Sequence, residues 1–249
     1  MYKLWIVEKE DYLDIKMQKI VPIPDDWYLH LRDTIESPYF KSLGGFIAKE
    51  RQTKSILPYK DEVFKAFNLT PFQKVRVVIL GMDPYPGRYK GEPTAHGLAF
   101  SPRNKDQVPP SLRVMYNKIK EDIYPDELSF PIDMDLEAWA KQGVLLINAA
   151  LTIEEGKSGS HLAHWNQFTE AVFKTLNEST TGLIFCFWGK DALKFAPLID
   201  DKFHHVLVAP HPAAALYAGG KWECNHFKRI NEILMASNRD DIDWLQNLK

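Results

Sequence analysis

Three polar residues stand where apolar runs end, and each is of a type that can stabilise a charge or hold a proton. Asp83 comes after Val75–Leu80 and the link Gly81-Met82, in a turn stiffened by Pro84 and Pro86 around Tyr85. A carboxylate held there, partly removed from water, suits a general base or the stabilisation of a cation, although aspartate also caps turns by bonding backbone. Asn148 closes the run Val144–Ile147. An unpartnered amide there costs about 1–3 kcal/mol, so it either bonds neighbouring backbone or reads a ligand edge. His211, between Pro210 and Pro212, can be a neutral donor, a metal ligand or a structural ring.

These residues share one rim if the runs before them are strands of one parallel sheet, since such sheets bind ligands beyond the carboxyl ends of their strands. Val75–Leu80, Val144–Ile147, Leu183–Trp188 and Val206–Ala209 are too short for core helices, and each closes on a polar, Gly or Pro turn. Amphipathic stretches at Ser111–Lys120, Leu136–Gln142, Phe168–Asn177, Lys190–Pro197 and Asn225–Met235 separate or follow them. That alternation predicts an α/β fold with a parallel sheet of at least four strands, covered on both faces. From residue 25 to 67 the pattern is helical, with Trp27, Leu31 and Ile35, then Phe40, Leu43, Phe46 and Ile47, at spacings of three and four and breaks at Pro38 and Pro58. Phe185, Phe187 and Trp188 read as core.

The 249 residues are 45% hydrophobic and 26% charged, the balance of a folded globular chain. The formal net charge of −2 announces no nucleic-acid partner, so any such partner is met by a local patch. Two cysteines, Cys186 and Cys224, exclude a disulfide framework and a four-thiolate iron–sulfur cluster. Cys224-Asn225-His226 with His204, His205 and His211 fits no standard zinc spacing. No Gly-rich phosphate fingerprint joins a strand to a helix. No apolar run is long enough for a membrane span, and the charged start MYKLWIVEKE does not read as a signal peptide, so a cytoplasmic, reducing location is expected. Without repeats or linkers, residues 1–249 are expected to form one domain, with 1–24 as an N-terminal extension.

Nearly the whole chain resembles the uracil-DNA glycosylase family, in its uracil-specific branch that needs no metal or iron–sulfur cluster. The blocks that carry the resemblance run in the family's order. They are Tyr39-Phe40, Val77–Gly81, Asp83-Pro84-Tyr85, His96-Gly97-Leu98 with Phe100-Ser101, Pro109-Pro110-Ser111-Leu112, Trp139–Leu146, Asn148, Leu151-Thr152, Ser160-His161, Trp165 with Phe168-Thr169, Trp188-Gly189, His211-Pro212 and Asn225-His226-Phe227. The resemblance implies a four-stranded parallel sheet sandwiched between helices, and a monomeric enzyme that flips deoxyuridine out of single- or double-stranded DNA and frees uracil without a cofactor or metal. It implies that Asp83 stabilises the cationic sugar and orients water, and that a neutral His211 bonds the uracil O2. Asn148 would read N3–H and O4, Phe100 would stack on the base, Tyr85 would fill the space of a thymine methyl, and Met82 would line the same pocket. DNA contacts would come from Pro84, Ser111, Ser160, His161, Pro212, Ala213, Ala215, Leu216 and Tyr217, with Ser111 and Ser160 on phosphates unless they are helix caps.

Three departures from the family pattern stand out. Met82 and Pro86 occupy places usually held by Gln and His, Pro86 as in poxvirus members. The stretch Gly87–Thr94 is longer than usual and carries Arg88 and Lys90. Ala213-Ala214-Ala215 replaces Ser-Pro-Leu, which removes the usual intercalating leucine and leaves Leu216, with Tyr217 behind it, to wedge the duplex from a loop loosened by Gly219-Gly220. Rival functions are a glycosylase for a 5-substituted uracil and a non-catalytic DNA-binding or replication-partner protein. A proteinaceous glycosylase inhibitor is a further expected partner, and the location would be nucleoid-associated in a bacterium or the host cytoplasm or nucleus for a virus.

Overall fold

The structure, a computed structural model, describes residues 22–126, 134–217, 219 and 221–245. Residues 1–21, and with them most of the expected extension, lie outside the described residues. In chain order the main elements are α1 (Asp25–Ile35), α2 (Pro38–Thr53), β1 (Ile56–Leu57), α3 (Lys65–Leu69), β2 (Val77–Gly81), β3 (Arg88–Tyr89), β4 (Glu92–Pro93), α4 (Pro110–Ile123) and α5 (Glu137–Lys141). Then come β5 (Val144–Asn148), β6 (Ile153–Glu154), α6 (Leu162–Ser179), β7 (Ile184–Trp188), α7 (Lys190–Leu193), β8 (His205–Ala209), α8 (Pro212–Tyr217) and α9 (His226–Ala236).

The central sheet runs β5-β2-β7-β8 and every pairing in it is parallel. All residues of β2, β5 and β7 are buried, which requires cover on both faces and explains why these strands read as unbroken apolar runs. Phe185, Phe187 and Trp188 are core, as expected. β5 and β8 are the edge strands, and Val208 of β8 is half exposed. Helix α1 packs against α6, and α4 against α8 and α9.

Pro38 opens a helix rather than merely interrupting one, because Ser37 caps α2 by accepting from the Phe40 N–H at 3.2 Å and a proline fits the first helical position. Several boundaries differ from the periodicity. Helix α6 begins six residues before Phe168, since Trp165 continues its buried stripe among polar neighbours. Helix α7 stops at Leu193, and a 3₁₀ turn carries the chain through Pro197. The helical pattern is interrupted after Thr53, where β1 pairs with β6, and resumes in a 3₁₀ turn at Lys60–Glu62 and in α3. Gly87–Thr94 folds as the β3–β4 hairpin, with Arg88 bonded to Glu155 at 2.8 Å and Lys90 to Asp106. The segment after His211, expected as a loop, is helix α8: Pro212 sits at its start and three alanines carry the best helix propensity.

Candidate active site

Strands β2 and β5 end level with each other, Gly81 opposite Asn148. A Cβ on Gly81 would fall 2.2 Å from Asn148 Oδ1, so only glycine leaves room for the amide to turn where it does. The Ala149 and Ala150 N–H groups donate to the carbonyls of Gly81 (2.9 Å) and Met82 (3.0 Å), which locks the two strand ends together. Asn148 is 6% exposed and its side chain makes no hydrogen bond among the described residues. Of its two readings, bonding to neighbouring backbone is not what the fold shows.

Tyr85 donates from its hydroxyl to the Phe100 carbonyl at 2.9 Å, and burial pushes its phenol up, so the ring is a fixed neutral wall. Phe100 has φ +63°, an uncommon conformation for a bulky residue, of the kind found at ligand-holding sites. Its neighbour Ser101 is held from two sides, by His96 Nε2 at 2.7 Å and the Leu136 N–H at 2.9 Å. Lys65 lies 2.8 Å from the other His96 nitrogen. Burial, with the Lys65 and Arg103 charges adding to it, pushes His96 down to about 3, so the imidazole is neutral and its Nε2–H donates to Ser101. The Phe100 ring then lies 5.8 Å from that of His211 and 5.6 Å from that of Trp188.

His211 leaves β8 beside Gly189, where a Cβ would meet that of His211 at 2.9 Å. Trp222 Nε1–H holds the preceding carbonyl, of Pro210, at 2.7 Å. The Ala213 N–H donates to His211 Nδ1 at 3.1 Å, so the ring proton is carried on Nε2. Burial holds the imidazole below its ordinary value against a smaller opposing pull from Asp191. At neutral pH His211 is an uncharged donor.

The Asp83 carboxylate accepts from the Ser158 hydroxyl at 2.9 Å on Oδ2 and 3.2 Å on Oδ1, and from the Gly159 N–H on Oδ2. Burial raises its affinity for a proton, and these two donors lower it. Sequence reasoning missed both donors, whose only signal was their place just before Ser160-His161. It also missed Gly81 and Gly189 as the residues that clear space for Asn148 and His211.

The expected DNA contacts are distributed unevenly. Ser111 is the second residue of α4, and Ser160 accepts from the Glu154 N–H at 3.0 Å. Neither is a helix N-cap, those places belonging to Pro109 and His161. His161 is 2% exposed and its Nδ1 lies 2.8 Å from the Thr152 hydroxyl; Pro84, Pro212 and Ala215 are likewise buried, so their side chains face inward. Met82 and Ala213 are half-buried. Leu216 and Tyr217 are exposed, Tyr217 to 91%, so neither packs down into the domain; Gly219 has φ +74° and Gly220 lies outside the described residues. His226 Nδ1 accepts from Trp188 Nε1–H at 2.9 Å and burial pushes the Cys224 thiol up to about 12, the state of packed side chains rather than metal ligands. Among the described residues no group of three or more His, Cys, Asp or Glu can hold a metal, and no helix is long and apolar enough to cross a membrane.

An amide with no side-chain hydrogen bond among the described residues, a carboxylate, and a neutral imidazole donor beside an aromatic ring, all at the carboxyl ends of one parallel sheet, suit an α/β enzyme that takes in one planar heterocycle and works on the bond that holds it. The family model for the uracil DNA glycosylase superfamily matches residues 67–235. A uracil-DNA glycosylase of Coxiella burnetii is 42% identical over 220 residues, 88% of this chain and 93% of its own, and the human one is 41% identical over 221 residues, 88% of this chain and 69% of its own. The crystal structure of mimivirus uracil-DNA glycosylase superposes with a TM-score of 0.83 at 28% identity, covering 98% of this chain and 94% of the other. A variant of that viral protein in complex with UGI superposes with a TM-score of 0.82 at 29% identity, over 89% and 88% of the two chains. The chain belongs to the uracil DNA glycosylase superfamily.

Proposed function

We propose that this chain is a DNA-repair glycosylase that hydrolyses the N-glycosidic bond of deoxyuridine in DNA, releasing uracil and leaving an abasic site. The observation that carries the reading is the Ala213 N–H on His211 Nδ1, which leaves an uncharged Nε2–H donor beside the Phe100 ring. As the N1–C1′ bond breaks, its electron pair departs with the base and positive charge gathers on the sugar. His211 meets the charge developing on O2, and Asp83 faces the cation and the water that adds to C1′. Asn148, whose side chain has no hydrogen-bond partner among the described residues, accepts from N3–H and donates to O4. Cytosine reverses that pattern and pairs only if the amide turns over. Release of free uracil from an oligonucleotide with a single uracil, with cytosine, thymine and 5-hydroxymethyluracil controls, tests the reading; release of none from the uracil strand rejects it. A proteinaceous glycosylase inhibitor of the kind bound by the mimivirus relative is a matching partner.

Tyr85 supports uracil over its 5-substituted forms, since its hydroxyl bond to the Phe100 carbonyl leaves the ring little freedom to swing away. Tyr85→Ala is expected to admit thymine, at a rate well below that on uracil, by opening the space beside C5. Undetectable thymine release with uracil release retained would remove Tyr85 from that role.

Filling the gap left by the flipped nucleotide falls to α8. Ala215 is 3% exposed and turned inward, whereas Leu216 is 48% exposed and carries enough apolar surface to enter a base step. Leu216→Ala is expected to slow excision from duplex DNA about tenfold and from single strands little, because unstacking costs a few kcal/mol only in the duplex. Equal slowing on both, or none, transfers the role to Tyr217 or to passive capture.

A further inference from the structure

The loop between β6 and α6 grips the turn that carries Asp83 at three points. Gly156 N–H donates to the Pro86 carbonyl at 2.8 Å, Gly159 N–H donates to Asp83 Oδ2, and the Ser158 hydroxyl bridges both carboxylate oxygens. Two donors therefore converge on Oδ2, while Oδ1 receives only the longer arm, at 3.2 Å, of a hydroxyl that has one proton to give. The loop is itself fixed: Ser160 accepts from Glu154 N–H, and Glu155 is bonded to Arg88 and to the Ser55 hydroxyl. Its charges are engaged away from Asp83, Lys157 with Glu154 at 2.6 Å and Glu155 with Arg88. Among the described residues, the Ser158 hydroxyl and the Gly159 amide are the groups that act on the carboxylate, and no charged side chain does.

We propose that Ser158 is a positioning residue for the reaction: with the Gly159 amide it clasps Asp83 by Oδ2 and leaves Oδ1 aimed at the sugar and the attacking water. The inference rests on the proposed uracil excision for its kinetic arm. Pro86 contributes no hydrogen-bonding ring to this turn, and the clasp supplies from across the chain the orientation that the turn itself lacks. A hydrogen bond to an ionised group also favours the ionised form, so the same contact keeps Asp83 charged against its burial.

The test compares wild type, Ser158→Ala and Ser158→Thr. Ser158 is exposed, so both variants should fold, with Ser158→Thr melting at the wild-type temperature and Ser158→Ala slightly lower at neutral pH, where the charge on Asp83 loses a donor. Ser158→Ala is expected to lower the single-turnover rate of uracil release at neutral pH about tenfold through lost orientation of the carboxylate, and separately to move the acid limb of the pH–rate profile upward. Ser158→Thr, which keeps the hydroxyl, should restore both to near wild type. Affinity for an oligonucleotide carrying 2′-fluoro-deoxyuridine, which resists cleavage, should stay within twofold. An unmoved acid limb, or a rate loss accompanied by weakened DNA binding, overturns the proposal and makes Ser158 a DNA contact or a bystander. Carbon-13 titration of the Asp83 carboxyl without DNA is independent of activity: a value equal in wild type and Ser158→Ala overturns the clasp. Failure of the wild type to release uracil, with that value raised in Ser158→Ala, instead condemns the functional reading and leaves the clasp standing.

Discussion

Asp83→Asn is expected to lower the single-turnover rate of uracil release by about 10²–10³-fold, the usual worth of a preorganised electrostatic group, while affinity for uncleaved uracil-containing DNA changes little. The substitution keeps the shape of the side chain and one acceptor oxygen for Gly159 and Ser158, while it removes the charge that the sugar cation needs and turns the other oxygen into an N–H donor. A loss below about tenfold would take Asp83 out of the reaction. The pH dependence has a determined sign: the charged form works, so activity is present above the Asp83 pKa and lost as pH falls through it. Burial raises that pKa, so the loss begins at higher pH than for an ordinary carboxylate. By the same linkage a folded-state pKa above the unfolded one means that at neutral pH the charge is held at a cost to stability. Asp83→Asn should therefore melt no lower than wild type, as expected of a residue kept for chemistry.

Residues such as Val77, Leu145 and Phe185 made the central sheet legible, because strands buried on both faces admit apolar side chains at consecutive positions and little else. Elements that bury one face, or none, left weaker marks. Helix α6 hides its start among His164, Asn166 and Gln167, with only Trp165 fully buried and Leu162 partly packed on the core. The β3–β4 hairpin has two residues per strand and is fixed by ion pairs such as Arg88 with Glu155, which no period reports. Helix α8 was masked by the habit of reading His-Pro as a loop, although Pro212 followed by Ala213-Ala214-Ala215 is a good helix opening.

Asp83, Asn148 and His211 were visible for one reason: each ends an apolar run at which a polar side chain needs an explanation. Their settings were not visible, because they depend on residues far away in sequence. Ser158 meets Asp83 across 75 positions, and Gly81 matters to Asn148 only because β2 and β5 are paired in register. Spacing along the chain says nothing about either contact. The tautomer of His211 is the exception, since the Ala213 amide lies two residues on, but it needed α8 to turn that amide back toward the ring.

That tautomer makes His211 the second residue whose loss should be large. His211→Leu is expected to reduce the single-turnover rate by about 10²–10³-fold, because leucine fills space beside Phe100 and offers no donor to the charge arriving on the base. Uncleavable substrate should bind almost as well, since the donor matters most once the bond has stretched. The mechanism further requires that wild-type His211 be uncharged at neutral pH, with Nε2 protonated and Nδ1 bare, a state read directly from nitrogen-15 shifts of the imidazole. Protonating Nδ1 would displace the Ala213 N–H and place a second charge in a desolvated site, which is why burial keeps the pKa low and the neutral donor in place. A charged ring at pH 7, or a proton on Nδ1, removes the donor from where the base must meet it. A rate loss under tenfold in His211→Leu would leave the imidazole as packing and shift the burden of the departing charge to the Asn148 amide.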